Sequence, residues 1–480
     1  MQFALKDLLM GADAKAVPPI EVEGVNSDSR AINAGEAFFA LPGTRVHGDG
    51  FAAQAVGRGA IAMVTDRKPA ADPGIPVVMV GDVRAAYARA AALQFAPQPD
   101  VSVAVTGTNG KSSIVSFVRQ IWTASGIEAA SLGTVGVETK AGIVPRELTT
   151  SDALSLHRDL GDLRAAGIGH IAMEASSQGL DQRRVDGIRF NAVAFTNLSR
   201  DHLDYHLDMD TYRAAKLRLF TDLLAEGGSA VVNADDPEHM PFLFAALDRG
   251  ATLLTVGAEG AFLELTNIRN EGYGQRVTGR MVGEPVNFLL PLTGAFQVSN
   301  AAVALALAVT TGADPEKAVK ALEHLKGAKG RLELVAEHNG AAIFVDYSHK
   351  PVALETALLA LRPYARKRLH LVFGAGGDRD KGKRPIMGEV ASRLADDVIV
   401  TDDNPRTEDA ATIRSEILAA ASWAKEIGDR RLAIETAISA LKPGDVLLIA
   451  GKGHEDYQIV GTTKHHFSDH EVVLETLKGK

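Results

Sequence analysis

The chain has 480 residues, a formal net charge of −9, 46% hydrophobic and 23% charged residues, and no cysteine. The acidic balance argues against a nucleic-acid partner, whose usual footprint is a basic surface, and the missing thiols exclude disulfides and cysteine chemistry. Ordinary globular composition combines with a length past the ~250–300 residues at which one core usually divides, so three domains of about 150 residues each are expected.

In chain order, "MQFALKDLLMGA" is amphipathic and carries Lys6 and Asp7, without the basic start and apolar run of a signal peptide. The strands "AIAMVTD" and "IPVVMVGD" follow, each with a helical pattern behind it, and the proline-rich "FAPQPD" at 95–100 closes a first domain, 1–97. From Val101 apolar runs alternate with helical stretches: "VSVAVTG", "IVSFVRQIWTASG", "GHIAMEASS", "NAVAFTNLS", "GSAVVNADD". That rhythm predicts an α/β fold, a doubly wound and mainly parallel sheet. Residues 260–292 alternate as an expected antiparallel edge, and the glycines and charges of "ALEHLKGAKGRLELV" end a central domain, 98–330. The uncharged stretch near "NAAVALALAVTTGA" is too short to cross a membrane. In the last domain, 331–480, "AAIFVDYSH", "RLHLVFGAGGDRD", "DDVIVTDDNPR" and "DVLLIAGKG" again read as strands ending in polar or glycine residues, where open α/β sheets place ligands. A cytoplasmic monomer without a membrane partner is expected.

"VSVAVTGTNGKSSIVSF" carries the strongest local signal. A strand runs into a loop with Gly107, Thr108, Asn109 and Gly110, and Lys111, Ser112 and Ser113 open a helix. Backbone N–H groups at such a helix start cradle phosphates, the lysine reaches the β/γ oxygens, and the hydroxyl of Ser112 suits Mg²⁺. The strict eight-residue P-loop pattern fails at Val105, so an ordinary glycine-rich turn is the rival, and nucleotide binding is favoured over it. Glu174 ends a strand as a hard oxygen ligand. His202 and His206 lie four apart in "RDHLDYH", which on a helix suggests zinc; the favoured alternative is that one faces the site and the other packs. By composition alone, Lys216 reads as one of many helix-surface lysines.

Together, "TGTNGKSS", "MEASS", "TNLSRDHLDYH", "AAKLRLF", "GRLE", "DYSHKP", "GGDRDKGKRP", "DNPR" and "GKGHED" resemble, in content and order, the Mur ligases, with the folylpolyglutamate synthases sharing the loop. The resemblance runs from about residue 25 to 460 and implies a central P-loop ATPase domain and a C-terminal Rossmann-like domain. It further implies an ATP-dependent ligase that adds meso-2,6-diaminopimelate to UDP-N-acetylmuramoyl-L-alanyl-D-glutamate through an acyl phosphate, with Mg²⁺. It makes Lys216 a carbamylated metal ligand and places His202 beside a second magnesium. For ATP it implies Asn300, Arg331, Asp346 and His349, although Asn300 also reads as a helix cap and Asp346 as a turn cap. For the muramoyl substrate it implies Ser27, Ser29, Thr149, Thr150, Ser176, Gln182 and Arg184, a serine-rich turn being the default for the first two. Gln178 departs from the histidine common in the family. For diaminopimelate it implies Arg379, Asp403, Asn404, Pro405, Arg406, Gly451 and Glu455, with Arg406 gripping the carboxylate that lysine lacks. A solvated Arg406 paired with Asp402 or Glu408 is the plain rival. A folylpolyglutamate synthase and an ATP-binding scaffold are the competing functions, disfavoured by the long first domain with "DNPR" and by Lys111, Glu174 and His202 respectively.

Overall fold

The computed structural model describes residues 2–43, 46–203 and 205–479. By its own contacts the chain divides into two compact units, residues 1–266 with 279–286 and 299–321, and residues 267–278 with 287–298 and 322–480.

The first unit begins with a four-stranded parallel sheet, β1 (Gly24–Asn26), β2 (Glu36–Phe39), β3 (Ala62–Thr65) and β4 (Val77–Met79), in sequence order. The strands are short and apolar because the sheet is covered; helix α1 (Val83–Gln94), capped by the Asp82 carboxylate accepting from Ala85 N, buries Val83, Ala86, Tyr87 and Ala90 in that core. α1 stops just before the proline-rich stretch, and β5 (Val101–Thr106) opens the next sheet.

In chain order that region adds α2 (Lys111–Ala124), β6 (Ala129–Gly133), β7 (Gly136–Thr139), β8 (Gly142–Val144), α3 (Ala153–Ala165), β9 (His170–Glu174), α4 (Ser177–Asp181), β10 (Phe190–Phe195), α5 (Met209–Arg218), β11 (Leu224–Asn233), β12 (Thr252–Gly257) and β13 (Leu263–Glu271). These strands lie in the order β8-β7-β6-β9-β5-β10-β11-β12-β13, and the eleven-stranded sheet continues with the strands Gly274–Met281 and Glu284–Leu290. Every pairing from β6 through β12 is parallel, and the β6-β7-β8 end is antiparallel. β5 and β10 are almost wholly buried, which is why they read as continuous apolar runs rather than alternating ones. Phe195 and Phe242 stack at 3.8 Å beneath them. The antiparallel edge expected at 260–292 is not met at its first pairing: β13 joins β12 in parallel, through Val256 opposite Leu263. The intervening segment folds back instead of making a hairpin, with Phe262 N donating to Thr255 O and Gly257 at φ +129°.

The second unit holds a six-stranded sheet of β14 (Glu333–His338), β15 (Ala341–Asp346), β16 (Leu369–Phe373), β17 (Asp397–Val400), β18 (Lys425–Glu426) and β19 (Val446–Ala450), ordered β14-β15-β19-β16-β17-β18. Only β14 is antiparallel to its neighbour. A separate hairpin, β20 (Tyr457–Val460) with β21 (Thr463–His466), was not legible in the sequence. Among the described residues no helix is long and apolar enough to cross a membrane.

Candidate active site

Parallel strands bring their C-terminal ends to one edge, and the phosphate-loop residues collect there. β5 ends at Thr106, β9 at Glu174 and β10 at Phe195, with Glu174 in register with Val105 and Phe195 with Thr106. The loop after β5 is latched to the segment after β10. Thr108 N donates to Asn197 O at 2.8 Å and Asn109 N to Asn197 Oδ1 at 2.9 Å. The Thr196 hydroxyl donates to Asn109 O at 2.7 Å. At Gly107, φ is +143° and a Cβ would run into the Thr196 hydroxyl and lie 3.0 Å from Asn197 O, so only glycine lets the two segments meet. Gly110, at φ +88°, precedes α2, whose first residues are Lys111, Ser112 and Ser113. Ser112 and Ser113 are buried. Asn300 lies inside the helix Ala295–Thr310, not at its start, so the capping role fails; its Oδ1 stands where a Cβ on Gly110 would go.

Two lysines converge on one carbonyl. Lys111 Nζ donates to Gly107 O and Thr108 O at 2.8 Å, and Lys216 Nζ donates to the same Gly107 O at 2.8 Å. Lys216 is 1% exposed, so the helix-surface reading is wrong. α5 turns that face inward, where its Tyr212 ring lies 4.4 Å from the Lys216 ammonium and its hydroxyl 3.2 Å from that of Thr108. Burial drives the Lys216 pKa well below the usual lysine range, and the charge of Lys111 pushes the same way.

Glu174, 2% exposed, accepts from Thr134 N at 2.8 Å and the Thr134 hydroxyl at 3.3 Å. His202 and His206 occupy a loop, not a helix. His202 is exposed with φ +54° and its ring 3.6 Å from Asp201, whereas His206 is buried against Tyr212 at 5.3 Å. Both rings nonetheless flank Tyr212, His202 at 6.3 Å from it, and no group of three histidine or acidic side chains able to hold a metal occurs among the described residues. The chemistry of Ser112 and Glu174, two oxygens at the phosphate-loop edge, fits a hard cation such as Mg²⁺ rather than a soft one.

Of the residues expected to meet the muramoyl substrate, Ser27 and Ser29 follow β1. Ser29 donates to Gln54 Oε1 at 2.7 Å and Ser27 engages the Tyr87 hydroxyl. Thr150 is used internally: its hydroxyl donates to Glu174 O at 3.0 Å and accepts from Ser176 N and Oγ. The Ser176 hydroxyl also caps α4, accepting from Gly179 N. Thr149 pairs with Thr134 at 3.0 Å. Arg184 reaches Thr150 O at 2.7 Å and forks onto Gln182 Oε1, whose amide donates to the Tyr205 hydroxyl. The structure thus gathers Thr149, Thr150, Ser176, Gln182 and Arg184 around one turn.

In the second unit the segment after β17 is held far more firmly than its sequence suggests. Asp403, Asn404 and Pro405 are buried. Arg406 has φ +52°, its N donates to Ile459 O at 3.1 Å, and its O accepts from Gly461 N at 2.8 Å. A non-glycine residue in this region costs on the order of 1–3 kcal/mol and persists only where its surroundings enforce it; here hairpin β20–β21 does so. The Arg406 guanidinium donates to Gly377 O at 2.8 Å. The rival pairing with Asp402 or Glu408 is absent: Asp402 pairs with Arg414, and Glu408 with Arg384 and Lys381. Those cations hold the Glu408 carboxyl down at about 2.

Glu455 accepts from Asn404 Nδ2 at 3.0 Å, and burial raises its pKa above the usual range. For Asp403, burial opposes ionisation, but Lys452 and Arg430 outweigh it and hold the carboxyl below its ordinary value. Gly451, at φ +116°, lies beside Asp403. Arg379 is exposed on the loop after β16. Asp346 ends β15; it does cap a turn, accepting from Ser348 N at 2.8 Å, and also takes Leu332 N at 2.6 Å. Arg331 sits 5.0 Å from the Tyr347 ring, and the pKa of the half-buried His349, 4.6 Å from that ring, is lowered to about 4 by desolvation. Tyr212, Thr134 and Lys452 were missed in the sequence. Lys452 lies inside the quoted GKGHED and Tyr212 two residues before AAKLRLF, but nothing in their spacing marks them.

Sequence profiles of three domains match: "Mur ligase family, catalytic domain" over residues 21–97, "Mur ligase middle domain" over 105–308, and "Mur ligase, glutamate ligase domain" over 330–453. The chain is 52% identical over 458 residues, 95% of each chain, to the UDP-N-acetylmuramoyl-L-alanyl-D-glutamate--2,6-diaminopimelate ligase of Chelativorans sp. (strain BNC1). It is 50% identical, over 99% of each chain, to the ligase of the same name from Bradyrhizobium diazoefficiens. A solved structure of a ligase with that name superposes with a TM-score of 0.75 at 31% identity, covering 100% of this chain and 99% of the other.

Proposed function

Since the chain belongs to the Mur ligase family, we propose that it joins meso-2,6-diaminopimelate to the D-glutamate of UDP-N-acetylmuramoyl-L-alanyl-D-glutamate at the expense of ATP, in the synthesis of peptidoglycan precursors. The observation that carries this reading is the 52% identity across 95% of both chains with a ligase of that name. The domains run 1–97, 98–330 and 331–480, a division supported by the end of α1 at Gln94 and the start of β14 at Glu333.

ATP phosphorylates the D-glutamate γ-carboxylate, giving an acyl phosphate and ADP. A free amine of diaminopimelate attacks the acyl carbon, and the tetrahedral intermediate expels phosphate to leave an amide. Lys111, now bonded to Gly107 O and Thr108 O, turns to the β/γ oxygens, while the N-terminus of α2 and the backbone of Gly107, Thr108, Asn109 and Gly110 hold the phosphates. Asn300 steadies the loop; Arg331, Asp346 and His349 serve the nucleotide. Lys216 is disposed to react with CO₂ because only the neutral amine adds it and burial favours that form; the carbamate converts a cation into an oxygen donor. Ser112, Glu174, His202 and the Lys216 carbamate would hold Mg²⁺, which neutralises phosphate charge.

Ser27, Ser29, Thr149, Ser176, Gln182 and Arg184 bind the UDP-muramoyl dipeptide. Thr150 lies with them and holds that turn through its hydroxyl. Arg406 binds the far carboxylate of diaminopimelate, Arg379 its other carboxylate, Glu455 its far ammonium; Asp403, Asn404, Pro405 and Gly451 shape the pocket. The enzyme works as a cytoplasmic monomer. Phosphate release from ATP in the presence of the UDP-dipeptide, measured with diaminopimelate, lysine and glutamate in turn, tests the reading. Release with diaminopimelate alone is expected, and release only with lysine or glutamate would refute it.

A further inference from the structure

The GKGHED segment holds a buried cation that no part of the proposed reaction uses. Lys452 is 0% exposed and sits between Gly451 at φ +116° and Gly453 at φ +52°. These backbone conformations suit glycine and turn the lysine side chain inward. Its ammonium donates to Tyr457 O at 2.7 Å and Asn404 Oδ1 at 3.1 Å, stands 3.5 Å from Glu455 Oε2, and pairs with Asp403 at 3.4 Å. Asn404 is spent within this network. Its Oδ1 also accepts from Ile459 N at 2.9 Å, and its amide donates to Glu455 Oε2. Ile459 O in turn accepts Arg406 N. One ammonium therefore reaches both proposed recognition residues: Glu455 directly, and Arg406 through Asn404 and Ile459.

We propose that Lys452 is the positioning residue for amino-acid recognition, clamping Asn404 and Glu455 so that Glu455 offers its Oε1 to the far ammonium while Arg406 stays strained toward the far carboxylate. The assignment rests on the function proposed above. Glu455 Oε2 is taken by Asn404 and Lys452, whereas Oε1 accepts no hydrogen bond from the described residues. A compact ammonium with three donors can serve Tyr457 O, Asn404 and Glu455 together; a planar guanidinium fork of the same charge cannot take that place. Lys452 touches no substrate: it acts through Asn404 and Glu455.

Two variants of the full chain, Lys452→Met and Lys452→Arg, test this by steady-state phosphate release. In both, the KM for diaminopimelate is expected to rise about ten- to hundredfold, the effect of losing one hydrogen bond to a charged group. The KM for ATP and for the UDP-dipeptide should stay within about twofold and kcat within about threefold, a split that a general loss of structure does not produce. The preference for diaminopimelate over lysine should narrow by a similar factor. Lys452→Arg keeps the buried charge and decides the matter if Lys452→Met does not fold. A wild-type KM for diaminopimelate in Lys452→Arg, or an equal rise in all three KM values, would overturn the assignment while leaving the ligase reading intact. A wild-type enzyme inactive with diaminopimelate would overturn both.

Discussion

Replacing Gly377 by alanine isolates the Arg406 turn. The backbone of Gly377 is not left-handed, so the added methyl brings steric consequences alone. Its Cβ would run into Pro405 O and lie 2.8 Å from Pro405 C and 3.2 Å from Glu408 Cβ, where carbon atoms rest at about 3.5–4.0 Å. Gly377 and the Pro405 backbone must separate by roughly an ångström to reach van der Waals distance, which disturbs the bond that joins Gly377 O to the Arg406 guanidinium. Misplacement of about 1 Å costs on the order of a hundredfold in rate, about 2.7 kcal/mol. That is comparable to losing one charge-assisted hydrogen bond, about 1.5–3 kcal/mol. Gly377→Ala should therefore lower kcat/KM for diaminopimelate about ten- to hundredfold, with the KM for ATP unchanged. The assay is phosphate release with diaminopimelate varied at saturating ATP and UDP-dipeptide, alongside a melting curve to confirm folding. An unchanged kcat/KM in a folded variant would refute the claim that this loop braces the arginine.

Arg406→Ala removes the guanidinium itself and should raise the KM for diaminopimelate about ten- to hundredfold; kinetics showing intact preference over lysine would dismiss its role. Lys216→Ala should abolish most turnover, with partial recovery on adding a short carboxylic acid, and full activity of the unmodified lysine at low CO₂ would contradict the carbamate. His157 supplies a pH signature of stability. It is 0% exposed, accepts from Gln98 Nε2 at 2.8 Å and donates to Asp186 O at 3.0 Å, and burial lowers its pKa to about 4 from an ordinary 6.5. Above pH 6.5 both states are neutral and the group contributes nothing. Between pH 6.5 and 4 the unfolded chain takes up a proton that the folded one refuses, so stability falls with pH by up to about 3 kcal/mol. Urea unfolding of His157→Gln against wild type from pH 7 to 4 measures it, and parallel curves would count against the buried neutral ring.

By itself the sequence determined what depends on neighbours along the chain. The strand, glycines and Gly-Lys-Ser of residues 101–112 declare a phosphate loop because strand, turn and helix start are set within a dozen residues, and the apolar runs ending in polar residues declare parallel strands and their ligand edge. Tertiary structure decided everything that depends on which distant segments meet. Lys216 reads as solvated on its own helix, yet packing against the loop after β5 buries it, and desolvation then changes its chemistry. Asn300 looks like a cap until its helix proves to begin five residues earlier, at Ala295, and His202 and His206 share a helical spacing on a segment that forms no helix. Arg406 shows its charge in sequence, but not its strained backbone or its brace at Gly377, because both come from segments 29 to 55 residues away. Lys452 was invisible for the same reason: a lysine between glycines looks mobile until Asp403 and Asn404, distant in the chain, close over its ammonium.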